Sequence, residues 1–126
     1  MKTSFIATVL NEEKTIEALL SSLAKQTKKP EEIIIVDGGS TDQTVAKIKA
    51  FQKKHPEFKI KVFVKKGANR SQGRNLAIKK AQNKIIAISD AGGELDRRWI
   101  EKISQPFNDP SVEVVAGYFK GKGENV

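Results

Sequence analysis

The sequence predicts an α/β domain built on a mostly parallel sheet flanked by helices. Three observations lead there. Apolar, largely β-branched runs recur at 4–10, 33–36, 58–64 and 85–88; helical stripes separate them; and polar turns follow their carboxyl ends. Strands alternating with helices imply right-handed crossovers, and ligands of such sheets bind outside the carboxyl ends of the strands.

Residues 4–10 read as the first strand. They are not read as a secretion signal, because the apolar stretch is short, is broken by Thr8 and is followed by Asn11-Glu12-Glu13. That triplet, a cap residue and two acids, predicts a helix beginning there, with Ile16, Leu19, Leu20 and Leu23 as its apolar stripe and Pro30 beyond its end. Ile33-Ile34-Ile35-Val36 is continuous in the manner of a central strand covered on both faces. Residues 37–43 turn the chain, and Ser40-x-x-Gln43 matches a capping box opening a helix with Val45, Ile48 and Phe51 inward. A third strand is expected over 58–64, a polar loop over 65–73, a helix over 74–81 around Leu76, Ala77 and Ala81, and a fourth strand over 85–88. Asp90-Ala91-Gly92-Gly93 follows, then a helix carrying Trp99, Ile100, Ile103 and Phe107, a fifth strand over 112–116, and a flexible tail.

Composition narrows the chemistry. The 126 residues carry 23 Lys and Arg against 15 Asp and Glu, a formal charge of +8. A chain of this length supports one core without staples. It has no cysteine, which excludes disulfides, thiol nucleophiles and thiolate metal sites, and fits a reducing cytoplasm. His55 is its single imidazole and reads as an exposed loop residue, so any metal would be a hard cation held by oxygens. No apolar run approaches the ~20 residues of a spanning helix.

The strand-end rule gathers the candidate site from residues 10–12, Asp37-Gly38-Gly39, residues 70–74 and residues 90–92. Neither G-x-G-x-x-G nor G-x-x-x-x-G-K-[ST] is present, which removes support for dinucleotide oxidoreductases and P-loop NTPases. Asp37 could accept hydrogen bonds from a base or ribose, while Gly38 and Gly39 let backbone approach a flat ring. Arg70 and Arg74 flank a helix entry suited to a pyrophosphate. Asp90 could hold Mg2+ or Mn2+, or a sugar hydroxyl. Plainer roles stand beside these: Asp37 as a turn former, Asn11 and Glu12 as cap and dipole partner, Ser40 and Thr41 as caps, Arg70 and Arg74 as solvated charges, Asp96 as a helix N-cap, Trp99 and Phe107 as core anchors.

Taken in order, residues 8–13 (T-V-L-N-E-E), 35–42 (I-V-D-G-G-S-T-D), 73–75 (G-R-N) and 90–92 (D-A-G) resemble the family 2 glycosyltransferases, which have the GT-A fold. The resemblance runs from about residue 4 to 118, with V-D-G-G-S-T-D and the order of the four motifs its most specific parts. It implies a Rossmann-like GT-A domain over 1–118 that binds a nucleotide-sugar, with a UDP-sugar as the favoured donor, and a flexible tail over 119–126. By resemblance, Thr8, Leu10, Asn11, Glu12, Asp37, Gly38, Gly39, Arg70, Arg74, Asp90 and Ala91 form the donor site, with Arg74 near the phosphates and Asp90 the first carboxylate of the D-x-D element. Gly92 stands where the second carboxylate is usual, so metal ligation rests on Asp90, with Asp96 as a recruit. Inverting transfer needs a carboxylate base; no segment after Asp109 resembles the family's motif for it, so the base is expected beyond Val126 and the chain is read as the donor half of a catalytic domain, with weak or no turnover alone.

The resemblance further implies an acceptor that is a glycan or lipid-linked, with cell-envelope polysaccharide as context; the basic surplus could hold a cytoplasmic protein at the inner face of the membrane, and a homodimer could cover an edge left open by the missing half. The alternative is a non-catalytic basic module binding RNA or an anionic membrane surface. Nucleic acid is disfavoured, because the few aromatics sit at core positions and form no stacking platform.

Overall fold

A computed structural model describes residues 2–89 and 94–111. The elements run β1 (Thr3–Val9), α1 (Ile16–Ala24), β2 (Glu32–Asp37), α2 (Thr44–Lys54), β3 (Ile60–Val64), α3 (Arg70–Lys80), β4 (Ile85–Ile88), α4 (Trp99–Ser104) and a 3-10 turn, Gln105–Asn108. The strands form one parallel sheet in the order β3-β2-β1-β4. The expected α/β architecture is therefore present.

β1 and β2 are central, and both faces of each are covered. Phe5, Ala7, Val9, Ile33 and Ile35 point to one side, where Leu19, Leu20 and Leu23 of α1, Ile48 of α2 and Ile100 of α4 close over them. Ile6, Ile34 and Val36 point to the other, against Ala77 of α3. This two-sided burial explains the unbroken apolar run of β2. Each fully buried Ile or Leu contributes about 1.5–3 kcal/mol relative to exposure.

Several boundaries differ from the sequence expectation. α1 begins at Ile16 and not at residue 11, because the chain first crosses to the β2–α2 turn. α3 begins at Arg70, four residues early, because Asn69 and Gln72 form a reciprocal capping box. The Ser40–Gln43 box does not form: α2 starts after Gln43 without a side-chain cap, the Ser40 hydroxyl being taken by Asp37. β3 starts at Ile60, and Val45 is only half-buried. α4 stops at Ser104, ahead of Pro106, with Phe107 half-buried in the 3-10 turn. Trp99 is half-buried edge-on to Phe5, with ring centroids 6.3 Å apart. His55 caps the C-terminus of α2 and stacks on Phe51 at 4.2 Å. The expected turn at 90–93, fifth strand at 112–116 and tail at 119–126 lie outside the described residues.

Candidate functional site at the strand ends

A cleft of about 340 Å3 opens at the carboxyl ends of β1 and β2. Thr8, Val9, Leu10 and Glu12 form one wall, Val36 and Gly38 lie at its base, and residues 68–70 with Gly73 form the wall opposite. The volume falls in the range of small-molecule sites. Its place is the one that the strand-end rule anticipates.

Two loops, joined by hydrogen bonds between residues 29 or more apart in sequence, are stitched together beside it. Asn11, in the left-handed region at φ 52°, donates its N–H to Ser40 Oγ at 2.8 Å and accepts the Thr41 N–H at 2.9 Å. The Glu12 N–H donates to Thr44 Oγ1 at 2.8 Å, and the Glu13 N–H to Asp42 Oδ2 at 3.3 Å. In return Glu13 Oε2 accepts the Gln43 N–H, and the Glu13 carbonyl accepts Lys47 Nζ at 2.7 Å. Burial pushes the Asp42 carboxyl up, but hydrogen bonds from Thr44 and Glu13 outweigh it and hold the group below its usual range.

Asp37 stands at the centre of the second loop with its side chain fully buried. Oδ1 accepts the N–H groups of Gly39 and Ser40, both at 2.7 Å, and Oδ2 accepts the Ser40 hydroxyl at 2.6 Å. The carboxylate thus fixes the turn from beneath, and the backbone at Gly38 is what reaches the cleft. Gly39 has φ 106°, which a side chain would make costly.

The opposite wall is set by α3. The Asn69 side chain accepts the Gln72 N–H at 2.8 Å, and Gln72 Oε1 accepts the Asn69 N–H at 3.0 Å, closing the helix start. Arg70, the first residue of α3, is exposed and borders the cleft; Arg74, one turn on, is half-buried. The start of α3, at the positive end of the helix dipole, borders the cleft through Asn69 and Arg70.

The structure thus brings Thr8, Leu10, Glu12, Gly38 and Arg70 onto one cleft, with Asn11, Asp37 and Gly39 shaping its rim, and places Arg74 next to Gly73 on α3. Asp90 and Ala91 lie outside the described residues. The Asp96 carbonyl accepts Gln26 Nε2, just beyond the C-terminal end of α1, whereas the cleft lies near the N-terminal end of that helix. Its carboxylate accepts the Arg98 N–H at 2.9 Å. Among the described residues no group of three or more His, Cys, Asp or Glu could hold a metal ion. The segments expected to form the site leave out Ala68 and Asn69, which line the cleft, although Asn69-x-x-Gln72 is a capping-box signal.

The model of the family described as glycosyl transferase family 2 matches residues 4–126. The poly(ribitol-phosphate) beta-N-acetylglucosaminyltransferase TarS of Staphylococcus aureus is 28% identical over 123 residues, covering 96% of this chain and 21% of that protein. The crystal structure of S. aureus TarS 1-349 in complex with UDP-GlcNAc aligns with a TM-score of 0.72 at 31% identity, covering 87% of this chain and 32% of that one. The mannosyltransferase PcManGT of Pyrobaculum calidifontis, in complex with GDP-Man and Mn2+, aligns with a TM-score of 0.82 at 24% identity, covering 88% and 33%, and shares the fold. The chain spans about a fifth of the length of the curated TarS relative.

Proposed function

The chain belongs to glycosyl transferase family 2, and we propose that its cleft receives the nucleotide of a sugar-nucleotide donor, a UDP-sugar, for inverting transfer to a glycan or lipid-linked acceptor. The observation that carries this reading is the meeting, in one cleft, of the strand-end backbone at Thr8, Leu10 and Gly38 with Arg70 and the start of α3. A flat base fits between backbone segments, and a pyrophosphate suits a guanidinium beside helix N–H groups. The UDP-GlcNAc bound by TarS supports the choice of a uridine nucleotide.

Asn11, Asp37 and Gly39 act through the rim they hold in place, and Arg74 through α3. Asp90 and Ala91 would complete the donor site, with Asp90 the ligand of a divalent cation, Mg2+ or Mn2+. The cation's chemistry, when bound, is to neutralise the pyrophosphate of the donor. No described residue is assigned as the base that deprotonates the acceptor.

The test is a melting assay with UDP, GDP and TDP, each with and without Mn2+. A ligand at 100 times its Kd adds about 2.7 kcal/mol to the stability of the folded state. Selective stabilisation by UDP supports the reading, and a flat response to all three overturns it.

A further inference from the structure

We propose that the α3 side of the sheet docks on an anionic lipid bilayer. The charge of the chain is segregated to an unusual degree. Residues 58–89, which span β3, α3 and β4, carry nine of the 23 Lys and Arg and none of the 15 Asp and Glu. The remainder, with 14 basic and 15 acidic residues, is close to neutral, so the whole surplus of +8 resides in one contiguous quarter of the chain.

The topology then places much of that charge on one side. α1, α2 and α4 cover one face of the sheet, whereas α3 is the helix of the other among the described residues. Arg70, Lys79 and Lys80 lie exposed on α3 and Lys84 just after it, and α3 contains no acid. Lys61 sits 3.9 Å from Glu32, and Lys80 lies 5.3 Å from the centre of the Phe63 ring. By contrast Lys65, Lys66, Arg70, Lys79 and Lys84 form no ion pair with a described residue.

Exposed aliphatic side chains accompany the cations. Ile78 on α3 is 43% exposed, and Ile88, opposite Ile6 in the register and so on the α3 side, is 40% exposed. Basic side chains with a few aliphatic ones suit the headgroup and upper acyl region of an anionic membrane. Single-stranded RNA would instead need exposed aromatic faces, and Phe63 is half-buried beneath Lys80. Arg70 is shared with the cleft, whereas Lys79, Lys80, Lys84, Ile78 and Ile88 lie outside its lining, so docking through them does not depend on what the cleft holds.

The experiment is co-sedimentation of the 126-residue chain with vesicles of phosphatidylcholine alone or with about a third phosphatidylglycerol. Binding should require the anionic lipid and fall steeply with salt. Removing Lys79 and Lys84 as glutamines should weaken partition about fivefold per cation, and Ile78→Ser should weaken it further. Lys53→Gln with Lys54→Gln, an equal charge loss on α2, should change it little; melting curves verify that each variant folds. Equal binding to neutral vesicles, equal losses from the α2 and α3 pairs, or binding to a single-stranded RNA oligomer but not to vesicles would each overturn the proposal.

Discussion

Gly73, early in α3, lies so close to Thr8 at the end of β1 that a Cβ built on it would stand 2.7 Å from Thr8 Cγ2. The two residues belong to opposite walls of the cleft, so their contact sets its width. Gly73→Ala gains about 1 kcal/mol in helix propensity, but the overlap forces the helix outward at a cost of about 1–3 kcal/mol. Net destabilisation is expected in urea unfolding, with most of it recovered when Thr8→Ser removes the opposing methyl. A stabilised Gly73→Ala would mean that the walls relax without consequence.

The Ser40 hydroxyl joins both loops, donating to buried Asp37 and accepting the Asn11 N–H. Ser40→Ala strands an acceptor and a donor together, and a loss of about 1–3 kcal/mol is expected. Thr41→Ala is the useful comparison. Its hydroxyl reaches Asn11 Oδ1 only at 3.4 Å in an exposed position, so the change should fall within about 0.5 kcal/mol. Equal effects from the two would contradict the linking role of Ser40.

Acid should loosen the same pair of loops through Asp42. Its folded pKa lies below the unfolded value, so its contribution is present above the unfolded pKa and is lost as pH falls through the folded one. Below about pH 4, the Glu13 and Thr44 amides that donate to Asp42 should exchange faster with solvent. An Asp42→Asn variant should show a shallower dependence of stability on pH over that range. Identical slopes for the two proteins would remove Asp42 from the acid response.

Arg70 borders the cleft from an exposed position, which separates its binding role from folding. Arg70→Ala should leave the melting temperature of the free protein within the effect of an ordinary surface change, about 0.5 kcal/mol. Its affinity for UDP should fall roughly tenfold or more, as expected for loss of a charge-assisted hydrogen bond of about 1.5–3 kcal/mol. Isothermal titration in low and high salt measures both the loss and its electrostatic origin. Unchanged affinity would place the phosphates elsewhere.

The architecture was legible where physics is local. Ile33 to Val36 announced a strand covered on both faces, and the stripe from Ile16 to Leu23 announced the helix above it. The strand-end rule located the cleft, because parallel strands deliver their following loops to one end of the sheet. What local pattern did not convey was long-range competition for donors and acceptors. Asn11 resembled a cap, yet its partners are Ser40 and Thr41, about 30 residues away. Ser40 fitted a box with Gln43, but buried Asp37 is the stronger acceptor and takes its hydroxyl. The polarity of residues 65–73 reads as a loop that includes Arg70, although Asn69 and Gln72 carry the signal that starts a helix there. Asp96 lay near Asp90 in sequence, and only the docking of residues 95–97 on the end of α1 shows how far from the cleft it stands.

Glu32 offers a control at the other end of the sheet. Its side chain is 2% exposed, and Oε2 accepts the Ser4 hydroxyl and the Gln82 N–H, both at 2.6 Å, tying the α3–β4 connection to β1 and β2. Oε1 accepts no hydrogen bond and faces Lys61 at 3.9 Å. Glu32→Ala removes the acceptor of the buried Ser4 hydroxyl and of the partly buried Gln82 N–H and strips Lys61 of its partner, so a loss of about 2–3 kcal/mol is expected. Glu32→Gln keeps one carbonyl oxygen for Ser4 and Gln82 and should retain part of that stability. Because Glu32 lies at the amino end of β2 and the cleft at its carboxyl end, the thermal shift produced by UDP should keep its wild-type size in Glu32→Gln, measured from that variant's own lower baseline. A variant that stays folded but loses the shift would show that the two ends of the sheet are coupled, and that the cleft cannot be treated as a site held by its own loops.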